Sequence, residues 1–248
     1  MVRQIELSPD IRVVYASEPE EVFREIASGS CVITSCNVPG AAGYVETLED
    51  FLDLNDDYVT KIYDRFVGRQ HVVDTLTVGD ITFTLKEMCE NDYEEWMILM
   101  EDGGELLFDE EDRAASVADI EKYKRASVEE RAAHKRMFGK FLRERFDLFD
   151  MGSWGIYTNN RLIGFITISY TEQGIYLGYC VHSDYRRRGV GSAAAGRMLR
   201  YAREELGVGE IFLGCSEHNA ASIAMARVLG FRPYRYEGES YTFVNHKM

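Results

Sequence analysis

The sequence predicts an α/β (α+β) protein: one large domain with a small N-terminal α/β unit ahead of it. Three observations predict this. The chain has 248 residues, enough to bury a large core without disulfides or metals. Short β-rich runs alternate with segments whose apolar residues recur at helical spacing. The grammar also changes beyond about residue 71, so the division is set at 1–77 and 78–248, with no role assigned to the first part.

In the first part, IRVVYA (11–16) reads as a strand. Ser17 followed by Glu20 suggests a helix start, which VFREIA continues. SCVITSC is a second strand and NVPGAAG (37–43) a loop. From 45 to 66, Val45, Leu48, Phe51, Leu52, Val59, Ile62, Tyr63 and Phe66 fall at helical spacing, with a break expected near Asn55.

In the second part, HVVDTLT and ITFTLKEM flank Val-Gly-Asp as a hairpin. A short helix is expected over Asp92–Met100. Residues 101–112 hold seven acids and no base and read as an exposed loop. Ser127 and Glu130 form a capping-box pattern before an apolar stripe of Met137, Phe138, Phe141, Leu142 and Phe149. Three strands follow: SWGIYT, LIGFITISY and GIYLGYCV. The Asn-Asn-Arg turn between the first two suits positive φ. The last strand leads into a helix with Met198, Leu199, Ala202 and Leu206 on its buried face. Then come strand EIFLGC, a helix from about Asn219 to Leu229 stopped by Gly230, and two strands around Gly238.

Charge and cysteine content exclude several classes. There are 42 acids against 28 Lys and Arg, a net charge of −14. Nucleic-acid affinity comes mostly from neutralised phosphates, so nucleic acid is not expected as the main ligand. Five cysteines lack any CxxC pair and read as reduced thiols, with no metal site. No run of about 18 apolar residues is present and the start carries no apolar block, so neither membrane association nor secretion is expected. A cytoplasmic location is the expectation.

The informative stretch is Arg186-Arg187-Arg188-Gly189-Val190-Gly191, between a strand and a helix. A helix start has unpaired N–H groups and the positive end of the dipole, so it can hold a phosphate or pyrophosphate. Gly189 and Gly191 let the backbone approach the anion, and arginine adds charge and bidentate grip. The loop is not a P-loop, because Gly-Lys-Ser/Thr is missing, nor a dinucleotide fingerprint. By itself RxxGxG could be a tight turn with a solvated basic cluster. A second motif, Asn219-Ala-Ala-Ser-Ile-Ala-Met-Ala-Arg-Val-Leu-Gly-Phe231, follows after an intervening strand.

In tandem, the two motifs resemble the GNAT superfamily of N-acetyltransferases over roughly residues 78–248. The resemblance implies a mixed, mostly antiparallel twisted sheet flanked by helices. It also implies transfer of an acetyl group from acetyl-CoA, as cosubstrate, to a primary amine of a small molecule or peptide. Amides from Arg187 to Ser192, with Arg186, Arg188, Gly189, Val190 and Gly191, then hold the pyrophosphate. Main-chain groups of Cys180 and Val181 pair with the pantetheine arm, and Asn219 steadies the cofactor side of its helix. Asn219 also suits a plain N-cap.

The sequence departs from the family at two points. The position where many members carry a proton-donating Tyr is Ala226, and the usual Glu in GIYLGYCV is absent. Asn219, Ser222 and Ala226 together are more similar to the branch acetylating protein N-termini and some antibiotics. Tyr179 and Glu217 become the catalytic candidates. His182, His218, Tyr234, Tyr236 and Tyr241 stand behind them, and Cys180 and Cys215 read as small core residues. The acidic run 101–112, with Glu105, Asp109 and Glu110, suggests a cationic acceptor. Three rivals stay open: a non-catalytic CoA-binding sensor, an acetyltransferase acting on aminoacyl-tRNA through basic helix faces at 131–145 and 186–203, and an interaction protein working through residues 1–70. A homodimer is compatible with the sequence.

Overall fold

A computed structural model describes residues 2–8, 11–36, 38, 41–54, 56–67, 70–107, 110–149 and 152–246. The chain divides into two compact units, Met1–His71 and Val72–Met248.

The first unit is built on a four-stranded sheet, β1 (Val2–Ser8), β2 (Ile11–Ala16), β3 (Cys31–Thr34) and β4 (Gly43–Tyr44), in sequence order. β1–β2 is antiparallel, while β2–β3 and β3–β4 are parallel. The parallel β2–β3 step needs a crossover, which α1 (Pro19–Ala27) supplies. The expected Ser17 cap is not used. The N-cap is Glu18, and Pro19 sits at the helix start, where its missing N–H costs nothing. The 45–66 stripe is two helices, α2 (Leu48–Leu52) and α3 (Asp56–Phe66). Thr47 and Asp50 close a capping box on α2. Asn55, the expected break, lies outside the described residues, as do positions 37, 39 and 40 of the expected loop. Val13, Tyr15, Cys31, Ile33, Phe51, Val59 and Ile62 form this unit's own core.

The second unit carries an eight-stranded sheet. Its elements run β5 (Val72–Val78), β6 (Ile81–Glu87), α4 (Tyr93–Leu107), α5 (Glu110–Arg125), α6 (Val128–Phe149), β7 (Ser153–Thr158), β8 (Arg161–Thr171), β9 (Gly174–Val181), α7 (Val190–Glu204), β10 (Glu210–Ser216), α8 (Ala220–Val228), β11 (Arg232–Glu237) and β12 (Ser240–His246). The strand order is β11-β12-β10-β9-β8-β7-β6-β5. Every neighbour pair is antiparallel except β9–β10. The sheet is therefore mixed and mostly antiparallel, as the resemblance implied. Because β5 pairs along its length with β6, residues 72–77 sit in the larger unit.

Strand alternation splits the core between the two faces. Phe83, Leu85, Trp154, Ile156, Ile166 and Leu177 pack with Val190, Ala194, Met198 and Ala202 of α7. Phe165 and Cys180 point the other way and pack with Leu99 of α4 and Phe138 and Leu142 of α6. The Asn-Asn turn is as expected, with Asn159 at φ 49 and Asn160 at φ 62. Ser127 and Glu130 close their capping box.

The acidic run is the main correction. It is not a loop: α4 continues to Leu107 and α5 begins at Glu110. Met97 of α4 packs with Ile120 and Tyr123 of α5, so the helix is held by tertiary burial. Two of the seven acids are also neutralised. Lys124 pairs with Glu101 at 3.0 Å and Arg186 with Asp102 at 2.6 Å. Asp109 lies outside the described residues, and the side chains of Glu105 and Glu110 are among those not described.

Candidate active site

β9 has two different edges. Toward β8 it holds eight register pairs, from Gly164↔Val181 to Thr171↔Gly174. Toward β10 it holds one, Phe212↔Tyr176. Beyond that pair the strands splay, leaving a gap between Leu177–Val181 and Leu213–Ser216.

Hydrogen-bond parity decides which backbone groups face the gap. The His182 N–H donates to the Ile163 carbonyl at 2.9 Å. Alternate residues along an antiparallel strand turn the same way, so the main chain of Cys180 faces β8 and those of Tyr179 and Val181 face β10. Of the expected Cys180 and Val181 pair, only Val181 turns its main chain toward this edge, and Tyr179 does so beside it. The Cys180 thiol lies buried on the opposite face, 3.7 Å from the Leu99 carbonyl, and burial pushes it up to about 11.

The loop after β9 is shaped by alternating φ. Arg186 is at −65°, Arg187 at +59° and Gly189 at +82°, and Arg188 is not among the positive-φ residues. Such alternation turns successive N–H groups toward one side, a concavity suited to an anion. Gly189 then caps α7, with no side chain spent on the first-turn amides. The first helical bond runs from Ala193 N to Gly189 O at 3.0 Å, so the amides of Val190, Gly191 and Ser192 precede the ladder. A Cβ on Gly189 would lie 2.9 Å from Val78 Cγ1. The glycine is required by its φ and by β5 as well as by any anion.

The three arginines differ. Arg186 Nε donates to the Val181 carbonyl at 2.7 Å, and its Nη2 donates to the Asp102 carbonyl at 3.1 Å and carboxylate at 2.6 Å. Burial opposes ionisation of Asp102, but a hydrogen bond from Ser183 and the charge of Arg186 hold its carboxyl below the usual range. Arg186 therefore locks the loop onto α4. Arg188 Nη2 reaches both oxygens of Asp80 at 2.8 and 2.9 Å, and this bond holds the Asp80 carboxyl low. Arg187 is exposed and has no ion pair among the described residues.

The far wall comes from α8. Asn219 is buried and caps it, its Oδ1 accepting from Ser222 N at 3.0 Å. Ala226 is fully buried and offers no donor. Ser222 stands four residues earlier, on the same helix face. Tyr179 faces this wall beside Cys215 and Ser222. Its Oη is buried, and no hydrogen bond of proper geometry reaches it among the described residues. Burial pushes this phenol up to about 12, opposed by the Ser222 hydroxyl. A Cβ on Gly191 would come 3.3 Å from Val181 Cγ2 and 3.8 Å from Met225 Sδ, so a side chain here would crowd the passage between them.

Glu217 is not brought to Tyr179. The Tyr236 hydroxyl of β11 donates to its carboxylate, on the β12 side of β10 and away from the gap, and this bond pushes the Tyr236 phenol up to about 12. His218 is exposed near Glu217, and His182 accepts at Nδ1 from Asp184 N at 3.3 Å. Tyr234 packs edge-on against Phe212, and Tyr241, opposite Cys215 on β12, lies against Tyr236. Burial raises the Cys215 thiol. Ser222, Asp80 and Asp102 were missed as partners. Ser222 was visible in the Asn-x-x-Ser spacing, whereas the two acids lie about a hundred residues from the arginines they meet. Among the described residues no group of three or more His, Cys, Asp or Glu could hold a metal ion. No helix among them is long and apolar enough to cross a membrane.

Residues 117–231 match the model of the acetyltransferase (GNAT) family. The larger unit carries a GNAT acetyltransferase domain. By class the chain is an N-acetyltransferase. Solved structures share the fold. RimJ of Mycobacterium smegmatis in complex with CoA-disulfide is 16% identical, with a TM-score of 0.53 over 71% of this chain and 90% of its own. RimL, a ribosomal L7/L12 alpha-N-protein acetyltransferase in complex with coenzyme A, is 16% identical, with a TM-score of 0.52 over 71% of this chain and 98% of its own.

Proposed function

We propose that this acetyltransferase domain transfers an acetyl group from acetyl-CoA to a primary amine of a peptide or small molecule, by direct attack in a ternary complex. The carrying observation is the splayed β9–β10 gap opening beside an alternating-φ, uncapped helix start. Two further observations fit a pantetheine arm and its thiol: the narrow Gly191–Val181–Met225 passage and the unpaired, buried Tyr179 Oη. The resemblance in fold to RimL and RimJ favours a peptide N-terminus within that acceptor class.

The residues divide the work. Amides of Arg187 to Ser192, with the Arg188 side chain, hold the diphosphate. Arg186 supports them by fixing the loop, and Asn219 by capping α8. The main-chain groups of Tyr179 and the N–H of Val181 pair with the arm, the Val181 carbonyl being held by Arg186. Acetyl-CoA supplies the acyl group on a sulfur leaving group. A phenol that keeps its proton up to about 12 cannot serve as a base near neutral pH, so Tyr179 takes the role of donor, with Ser222 beside it. Glu217 is engaged by Tyr236, which leaves the acceptor amine to lose its proton to water or another group. Alignment of the two reactants supplies much of the acceleration.

The aminoacyl-tRNA reading loses some support, because several bases on the faces it needs are engaged. Arg131 donates to the Ala126 and Lys124 carbonyls, Lys135 pairs with Glu94 and Arg197 with Asp74. Acetyl-CoA turnover against a panel of free-N-terminus peptides, N-blocked controls and small amines tests the proposal. Transfer to free amines only is expected. Failure to bind CoA, or transfer to no amine, overturns it.

A further inference from the structure

The pyrophosphate loop carries three arginines but not three available charges. Arg186 and Asp102 expose only 31% and 20% of their side chains, and the pair is reinforced by the Val181 and Asp102 carbonyls and by Ser183 N. A pair enclosed by that many bonds does not exchange. Arg188 and Asp80 expose 43% and 83%, and only Nη2 of the guanidinium makes the contact. An exposed pair of this kind is worth little and is screened by salt.

Asp80 is brought there by the sheet. It sits in the turn between β5 and β6, beside Gly79 at φ +59. The same hairpin touches the cofactor helix twice more. Val78 Cγ1 closes on Gly189, and Asp74 and the Val73 carbonyl hold Arg197 of α7 at 2.8 and 3.2 Å. The turn is therefore held against the loop by two contacts that do not involve Asp80. Packing does not require a carboxylate at position 80.

We propose that Asp80 is a displaceable counter-charge for the CoA diphosphate. It holds Arg188 beside the loop, yields it to the diphosphate on binding, and takes it back on release. The consequence is opposite in sign to that of a supporting ion pair. A carboxylate that competes with the ligand weakens its binding and speeds its departure, whereas one that positions Arg188 strengthens binding. This rests on the proposed CoA site at residues 187–192.

The test uses the full chain, with CoA as the probe, by calorimetry and stopped-flow dissociation. Asp80→Asn is expected to tighten CoA about two- to fivefold, the range of an exposed ion pair, mainly through a slower off-rate. The gain shrinks at high salt. Arg188→Gln weakens CoA, and the double variant shows no gain over Arg188→Gln alone. Glu172→Gln, an exposed acid in the β8–β9 turn, controls for bulk charge and is expected to change nothing. Unchanged or weaker binding in Asp80→Asn overturns the proposal. So does a gain that survives in the double variant or is matched by Glu172→Gln. If the wild-type chain binds no CoA, the site itself is wrong, which is a separate result from a wrong sign at Asp80.

Discussion

The two edges of β9 show how one strand serves two purposes. Its β8 edge is paired for eight residues and its β10 edge for one. Both edges belong to the same apolar sequence, GIYLGYCV, so hydrophobicity does not distinguish them. The difference lies in what each neighbour does. β8 returns through a tight hairpin and must stay in register. β10 arrives after α7 and runs parallel, and a parallel neighbour joined through a helix is free to diverge. Unpaired backbone groups are costly when buried, so an open edge inside a sheet marks a place where another chemical group completes the hydrogen bonding.

Two glycines separate the edges experimentally. A Cβ on Gly164 lies 2.5 Å from the Cys180 carbonyl oxygen and 3.2 Å from Val181 Cα, both backbone. Gly164→Ala should destabilise the unit by about 3 kcal/mol, because the ladder cannot move aside. At Gly191 the Cβ of a Gly191→Val variant meets only side-chain atoms, at 3.3 and 3.8 Å. Its stability should change by about 1 kcal/mol or less, while CoA affinity falls about a hundredfold through lost approach to the helix start. Denaturant titration and calorimetry on both variants decide the matter. A folded Gly191→Val that binds CoA like the parent would break the functional reading of the gap. A Gly164→Ala as stable as the parent would show that the β8 edge is not rigid.

Tyr179 sharpens the contrast, since its backbone faces the open edge and its Oη lacks a partner among the described residues. Tyr179→Phe should lower kcat by roughly 10² if the phenol donates the proton, the lower range for acid–base help. The same change should leave stability equal or higher, by up to about 1 kcal/mol, because an unsatisfied buried hydroxyl is removed. Opposite signs in rate and melting temperature are the signature, and an unchanged kcat removes Tyr179 from the chemistry.

The pH dependence is the smallest effect. The folded pKa of Tyr179, about 12, is above its ordinary value near 10, because burial favours the neutral phenol. The resulting stability is fully present below about pH 10 and is lost as pH rises toward 12. By pH 11 the parent should have lost about 1 kcal/mol relative to Tyr179→Phe, measurable as diverging denaturation midpoints between pH 9 and 11. The rate profile should show no descending limb from Tyr179 below pH 10. A limb there that disappears in Tyr179→Phe would mean that the phenol ionises earlier than its burial implies.

Much of this was legible in the residues. The RxxGxG spacing located the loop, and the Asn-x-x-Ser start located the α8 cap. The acidic run misled, because composition favoured a loop where burial of Met97 against Ile120 and Tyr123 makes helix. Glu217 misled for a related reason. Its place at a strand end was visible, but its capture by Tyr236 of β11 was not.

The sequence by itself determined the elements that depend on neighbours a few residues away: the Asn-Asn turn, the Ser127–Glu130 box, the Gly189 turn and the helix it opens. These are short-range matters of φ, capping and periodicity. Only the tertiary structure decided which arginine is locked, which is exchangeable and which is free. It also decided that Tyr179 and Val181, rather than Cys180, present their backbone to the gap. The physical reason is that charge pairing and strand parity depend on partners distant in sequence. Asp80 meets Arg188 across 108 residues and Asp102 meets Arg186 across 84, and no local pattern encodes either meeting.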